Sequence, residues 1–243
     1  DVVVVATPRG THLEAVNETI AARRPAVLVG DGLAETIAVL RRSGDAARAG
    51  IPIAVGSGFG PGMSCVLAAH GASWFDEVDE VHVAKAGTGG PACALVHHRA
   101  LSRRSYDWRV ADGSGAGDWV RRAGGSGREL VWFPDPVGPR DCYRAALPDP
   151  VLLHHALPTV RRITARVAAT RRDRLTAPLP MLSPPHVEGG MGAVRVEVRG
   201  RRNDASDVVV LGATERPAVA AAAVAATTVE WLLAGRHRVA GMA

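Results

Sequence analysis

The sequence is short of lysine, aromatic side chains, cysteine and long apolar runs. Lys85 is the only lysine among 29 basic residues, and all the others are arginine. Together with abundant Ala, Gly, Val and Pro, this bias reads as the product of a GC-rich genome. The net charge of +5 therefore does not by itself indicate a nucleic-acid partner. Aromatics make up 4% of the chain and rarely interleave with the charges, which argues against a stacking platform for single strands. Cys65, Cys93 and Cys142 are odd in number and far apart, so neither a disulfide framework nor a C-x-x-C metal motif is indicated, and the compartment is expected to be reducing. The nine histidines include the neighbours His97–His98 and His154–His155 but no H-x-x-x-H spacing, so no metal site is expected. No apolar run is long enough to span a bilayer, and the Ala-rich stretch Pro217–Ala226 is far too short. Asp1 opens directly onto the strand-like run Val2–Ala6, without the basic region and cleavage site of a signal peptide. These features predict a cytoplasmic protein with no membrane partner.

With 243 residues and 47% apolar content, the chain can bury a sizeable core. DVVVVATP is a continuous apolar run of the kind found in a parallel strand covered on both faces. The stripe Leu13, Val16 and Ile20 predicts a helix over Thr11–Arg24, with Thr11 and Glu14 as a capping box. PAVLVGDG reads as a second strand, Leu33–Ala49 as a second helix and IPIAVGSG as a third strand. Strand–helix–strand–helix–strand at these lengths is a pair of βαβ units in an open parallel sheet, where ligands bind at the carboxyl ends of the strands. Three loops then share one site edge: Thr7–Thr11, Gly30–Gly32 and Gly56–Gly62.

Further on, EVHVAKAG, RELVWF and AVRVEVRG alternate as half-buried antiparallel strands do, separated by glycine-rich turns (DGSGAGD, AGGSGRE) and proline-rich loops (FPDPVGPRD, PLPMLSPP). In VRRITARVAATRRDR, Val160, Ile163 and Val167 recur at helical spacing, which predicts a buried stripe with a solvated basic face. Pro217–Ala234 reads as a small-residue helix that approaches another element closely.

The segment GSGFGPG, Gly56–Gly62, imitates a dinucleotide fingerprint. Gly56 and Gly58 fit G-x-G-x-x-G, but Pro61 holds the third place and has no N–H to offer a phosphate. The acidic cluster Asp76, Glu77, Asp79 and Glu80 gives no clear ribose ligand.

DVVVVATPRGTHLEAV, followed by a strand, a helix and the segment GSGFGPGMSCVLAAHGASWFDEVDEVHV, resembles the saccharopine dehydrogenase-like reductases. In that family the last strand of the nucleotide domain runs through a Gly-x-x-Pro-Gly turn, here Gly58–Gly62, into an α+β substrate domain. WFDEVDEVHVAKAGTGGPA and the Ala-rich C-terminal helix resemble further parts of it. The likeness implies an α/β fold, in which a partial Rossmann-like parallel sheet is joined to an α+β domain with a largely antiparallel sheet. Residues 1–62 would be the C-terminal part of the nucleotide domain, 63–212 the substrate domain and 213–243 a return helix packing on the nucleotide domain. The resemblance also implies that the pyrophosphate loop belongs to a strand before Asp1. NADP or NAD would be the cofactor, acting on a small polar, amino-acid-like substrate at a C–N or C–O bond, in a homodimer. Ala6, Thr7, Pro8, Gly56, Gly58 and Phe59 would hold the nicotinamide side, and Gly60, Pro61 and Gly62 would face the substrate. ATP after a strand is equally compatible with an ordinary strand-to-helix turn.

A neighbouring likeness is to the sugar-oxidoreductase family, in which an ATPxxxH segment precedes a strand ending in a catalytic Glu-Lys-Pro. Gly30-Asp31-Gly32 stands at that place here, so the lysine is missing. A non-catalytic member that binds nucleotide or a partner through the same architecture is the other alternative.

Hydride transfer asks the protein for orientation, water exclusion and a proton donor or acceptor. Lys85 is one candidate acid/base, because a desolvated lysine can lose its proton near neutrality, although a strand-edge surface lysine is the simpler reading. His70 and His82 are the others. Arg104 and Tyr106, in RRSYDWR, sit among arginines that could clamp a carboxylate or form a solvated loop. Asp135 lies in a rigid proline-rich loop that either lines a cleft or crosses the surface. Cys65, one turn into a helix, has no base at triad spacing to make it a nucleophile.

Overall fold

The computed structural model describes residues 1–111, 116–181, 184–237 and 241–242. The turn DGSGAGD and the loop PLPMLSPP therefore lie partly outside the described residues. The N-terminal strands β1 (Val3–Val5), β2 (Ala26–Leu28) and β3 (Pro52–Val55) pair in parallel in that order, and β12 (Gly241–Met242) adds to β3 from the far end of the chain. Between them run α1 (His12–Ala21), α2 (Leu33–Leu40) and α3 (Ser43–Ala49). Val5, Val16, Leu28, Val39, Ala46, Ile53 and Met242 form the core of this sheet and its helices.

Two local expectations fail here for identifiable reasons. The helix expected over Leu33–Ala49 is broken, because Ser43-Gly44-Asp45 is a helix-starting sequence and not an interior one. The expected Thr11–Glu14 capping box is also absent among the described residues. Thr11 Oγ1 donates instead to Pro8 O at 2.8 Å and shares a hydroxyl–hydroxyl contact of 2.7 Å with Thr7 Oγ1, and Glu35 Oε1 on α2 accepts from the N–H groups of Gly10 and His12 at 3.0 and 2.9 Å.

After α4 (Met63–Ala72) the chain builds a second sheet from β4 (Glu77–Ala86), β5 (Arg104–Val110), β6 (Gly117–Ala123), β7 (Glu129–Trp132), β8 (Pro139–Arg144), β9 (Arg162–Ala168), β10 (Gly192–Arg202) and β11 (Ala205–Glu215). Its path is β11-β10-β4-β9-β5-β6, with β8 also on β9 and β7 on β8. Of these pairings only β4·β9 is parallel among the described residues. A parallel sheet joined to a mostly antiparallel one matches the expected fold class.

The basic segment expected as a helix is strand β9. Ile163, Ala165 and Val167 alternate into the core while Arg162 and Arg166 point the other way, and β-branched residues suit that half-buried surface. Only its end is helical: α7 (Arg171–Thr176), started by a Thr170–Asp173 capping box. Likewise RRSYDWR is mostly strand β5 and not a loop. On one face of the sheet, α4 and α6 (Asp149–Ala156) cover Val81, Val83, Ile163, Val196 and Val198. The remaining helices are α5 (Pro91–Ala100) and α8 (Pro217–Leu233). α8 returns to pack on β2, and Ala220 meets Phe59 and Val194 where small side chains allow close approach. No helix among the described residues is long and apolar enough to cross a membrane.

Candidate functional site

A cleft of about 470 Å³ lies where the carboxyl ends of β1, β2 and β3 meet the second sheet. Its walls bring together the three loops expected at one site edge. Ala6, Thr7 and Pro8 come from the first, Gly30, Asp31 and Gly32 from the second, and Gly58, Phe59, Gly60 and Pro61 from the third. Cys93 and His97 of α5 close it from the other side. A second cavity of about 390 Å³ adjoins it, sharing Gly87 and His97 and lined further by Thr88, His98, Arg172 and Asp173.

The GSGFGPG loop folds back on itself. Gly58 N–H donates to Pro61 O at 2.9 Å, Met63 N–H to Gly58 O at 2.9 Å and Ser64 N–H to Phe59 O at 3.3 Å. Gly62 has φ +133, and a Cβ there would run into the backbone of Gly58. Gly56 does not line the cleft; a Cβ on it would lie 2.6 Å from Leu152 Cδ1, on the inner side of the turn.

Lys85 lies beneath this loop with 1% of its side chain exposed. It is not a strand-edge surface lysine, because β4 is an inner strand and position 85 shares the covered face with Val81 and Val83. Its Nζ donates to Gly60 O and lies 3.9 Å from Asp149 Oδ2, at the start of α6. Asp149 is fully buried, and its Oδ1 accepts from Ser64 Oγ at 2.6 Å. The ammonium thus ties the glycine loop to both domain-covering helices from below and does not line the cleft. A Cβ on Gly60 would meet Lys85 Cδ at 2.7 Å, so glycine is required for this approach. Burial, and then the Asp149 charge, push the neighbouring Cys65 thiol up to about 12, which removes it as a nucleophile.

The other candidates scatter. His70 is exposed at the end of α4, edge-on to Trp74. His82 is three residues from Lys85 and so on the opposite sheet face, where it bonds Glu80 and Thr164 at 2.8 Å each. Arg104 and Tyr106 line a separate groove of about 530 Å³, which shares Arg9, Gly32, Glu35 and Val96 with the cleft. Asp135 lies outside all three cavities, and its carbonyl accepts from Thr214 Oγ1.

The sequence reading passed over α5 and Asp31. Asp31, Cys93 and His97 meet at the cleft wall, with Cys93 Sγ donating to Asp31 Oδ2 at 3.2 Å and His97 Nε2 3.6 Å from the same oxygen. Burial, and then the Lys85 charge, hold His97 well below the usual imidazole value, so it is neutral at pH 7. The available signal was Cys93-x-x-x-His97, one turn of helix apart.

No protein-family model and no curated protein matches the sequence. Among solved structures, this chain is similar to apo saccharopine dehydrogenase (L-Glu forming) from Saccharomyces cerevisiae, at 12% identity and a TM-score of 0.59, covering 100% of this chain and 78% of that one. DAP dehydrogenase from C. glutamicum, in complex with DAP, aligns at 13% identity and a TM-score of 0.48, covering 100% and 74%. An engineered D-amino acid dehydrogenase bound to NADP+ aligns at 13% and 0.46, covering 100% and 75%. At such identities the first likeness establishes the fold: a parallel sheet joined to a mostly antiparallel one, as in two-domain dehydrogenases.

Proposed function

We propose that the chain belongs to an NAD(P)-dependent oxidoreductase of the saccharopine dehydrogenase-like type, with residues 1–62 in its nucleotide domain and 63–212 in its substrate domain. Its reaction is hydride transfer at a C–N or C–O bond of a small, amino-acid-like substrate. The observation that carries this reading is the convergence of three parallel-strand ends on one cleft that opens into a second cavity. The fold likeness to saccharopine dehydrogenase agrees with it.

The residues present fit one end of a dinucleotide. A phosphate is excluded from the start of α1, since Glu35 already occupies the Gly10 and His12 N–H groups. In the GSGFGPG loop the Ser57 and Gly58 N–H groups are taken by Leu28 O and Pro61 O, Pro61 has none, and the Met63 and Ser64 N–H groups that follow it bond back to Gly58 O and Phe59 O, which leaves this turn a poorer phosphate cradle than the pattern suggests. The small and apolar wall of Ala6, Pro8, Phe59 and Ala221 instead suits the flat nicotinamide ring. A bound nicotinamide supplies the hydride donor or acceptor. Ala6, Thr7, Pro8, Gly58 and Phe59, which line the cleft together, would hold the ring and exclude water. Gly60 and Pro61, which line the same cleft, would face the substrate, and Lys85 keeps that loop in place through the Gly60 carbonyl. In the adjoining cavity, which Arg172 lines, its guanidinium would pair a substrate carboxylate.

Titration of the full-length protein with NADPH and NADH, followed by fluorescence, tests this. Ala6→Trp fills the slot and is expected to weaken binding at least tenfold. Unchanged binding by A6W would remove the nicotinamide from this cleft, and binding without turnover on any amino or oxo acid would favour a non-catalytic member.

A further inference from the structure

We propose that Asp31, Cys93 and His97 form a binding site for a single divalent cation of borderline softness, Zn2+ by its chemistry. The three donor atoms are Oδ2, Sγ and Nε2, and they lie within 4.8 Å of one another. Their separations are 3.2 Å (S–O), 3.9 Å (S–N) and 3.6 Å (N–O). Around a tetrahedral Zn2+, with bonds of about 2.3 Å to sulfur and about 2.0–2.1 Å to nitrogen and oxygen, the corresponding edges are about 3.3–3.6 Å. Each observed edge is within about 0.4 Å of that requirement, so binding asks for small side-chain adjustments and no backbone rebuilding.

The donors come from two rigid places. Cys93 and His97 are one turn apart on α5 and present both ligands on one helix face, while Asp31 arrives from the loop after β2. The site therefore spans the seam between the parallel sheet and the second sheet. Charge also balances, because a carboxylate, a thiolate and a neutral imidazole neutralise a dication. The positive charge of Lys85 acts on both Cys93 and His97, but its ammonium is already faced by Asp149. On binding, the Cys93 proton that now points at Asp31 leaves to solvent, and the metal takes its place between the two.

Three protein ligands leave a fourth position. All three residues line the cleft, and His97 also lines the adjoining cavity, so that position opens where the two spaces join. It would hold water or an oxygen of a bound small molecule. His97 Nδ1 is buried without a hydrogen-bond partner among the described residues. A ligating imidazole is ordinarily braced through that nitrogen, and lack of such support lowers affinity by about 10–100-fold. Binding in the micromolar range is accordingly expected, weaker than in a structural zinc site.

Co2+ is the probe, followed by displacement with Zn2+, on the full chain. One Co2+ per chain is expected, with thiolate-to-cobalt charge transfer in the near ultraviolet and tetrahedral bands in the visible. Cys93→Ser abolishes the charge-transfer band, and His97→Gln and Asp31→Asn each lower affinity by at least about 10–100-fold. Asp31 is partly exposed, so D31N is expected to fold even where C93S does not, and circular dichroism confirms the fold of each variant. His70→Gln, far from the site, retains the metal. The proposal is overturned by absence of Co2+ binding at micromolar concentration, by a spectrum without the thiolate band, or by D31N or H70Q behaving opposite to expectation. It does not depend on the nicotinamide reading: a chain that binds Co2+ but no NADPH leaves this site standing, and the reverse leaves the other.

Discussion

Replacing Lys85 by methionine removes the one buried ammonium under the cleft loop while keeping most of the side chain's volume. At 3.9 Å and an effective dielectric of about 20, the Lys85–Asp149 attraction is worth about 4 kcal/mol before desolvation is charged against it. The variant also loses the hydrogen bond to Gly60 O, and it leaves Asp149 fully buried with the Ser64 hydroxyl as its one side-chain partner among the described residues. Stripping one partner from a buried pair costs about 3–5 kcal/mol, a large share of a domain's total stability of about 5–15 kcal/mol. Asp149→Asn alone is expected to cost a similar amount, because it strands the ammonium. K85M/D149N, with both charges gone and the amide oxygen still accepting from Ser64, should return to within about 1–2 kcal/mol of the parent. The coupling between the two sites is then at least about 4 kcal/mol. Urea unfolding followed by tryptophan fluorescence measures all four proteins, and a common slope would show that the unfolded reference is unchanged. A K85M variant within about 1 kcal/mol of the parent, or a double variant as unstable as the sum of the singles, would refute the reasoning.

Gly62→Ala combines left-handed strain with overlap against the Gly58 backbone, so it should cost about 2–6 kcal/mol; Gly10→Ala at φ +100, with open space around it, should cost only the strain of about 1–3 kcal/mol. Equal thermal stability of G62A and G10A would contradict the tight turn. Burial raises Cys65 and Cys142 to about 12, with the charges of Asp149 and Glu129 adding to it. Their thiolate fraction at pH 8 is then about 10⁻⁴, so native-state alkylation by iodoacetamide should run about 10³-fold slower than for a free cysteine, and denaturant should abolish the difference. His154, stacked on Trp108 at 3.7 Å, is held below the usual imidazole value by burial and then by His155. The unfolded chain therefore binds the proton more tightly: the contribution to stability is complete above about pH 6.5 and is lost as pH falls below it. His154→Gln should flatten that part of the stability profile, and an unchanged acid limb would rule out His154 as its source.

The parallel half of the fold was legible because its strands read as uninterrupted apolar runs, although only β2 is buried throughout; β1, at the sheet edge, was expected to be covered on both faces and instead leaves Val3 and Val4 exposed. Strand β9 was not legible, since Val160, Ile163 and Val167 satisfy a helical stripe as well as buried positions of a strand and its approach. What decides is the pairing of β9 with β4, β5 and β8, which no local window contains. The two-residue strand β12 is too short to leave any pattern, and its place beside β3 depends on α8 returning the chain to the first sheet. In the site, Lys85 stood out by composition alone. That it is buried against Asp149, 64 positions away (149 − 85), follows from β4 lying inside the sheet and α6 covering that face. Cys93 and His97 carried a helical spacing that could be seen, but Asp31 joins them only through the seam between the two sheets.

The glycine loop illustrates why a pattern of residue types underdetermines chemistry. A phosphate cradle requires backbone N–H groups that converge on empty space, and glycines are needed there only to let the ligand approach. In GSGFGPG the glycines serve a different geometry. Gly62 makes room for the backbone of Gly58, and Gly60 for the stem of Lys85, so the turn is filled from inside by its own carbonyls and by a buried ammonium. With the Ser57 and Gly58 N–H groups bonded to Leu28 O and Pro61 O and Pro61 contributing none, the loop presents an uncharged surface to the cleft. The neighbouring helix start is likewise closed to anions by Glu35. The same residue pattern therefore serves two geometries, and what separates them is whether the turn's interior is open to a ligand or, as here, filled by the chain's own carbonyls and the stem of Lys85.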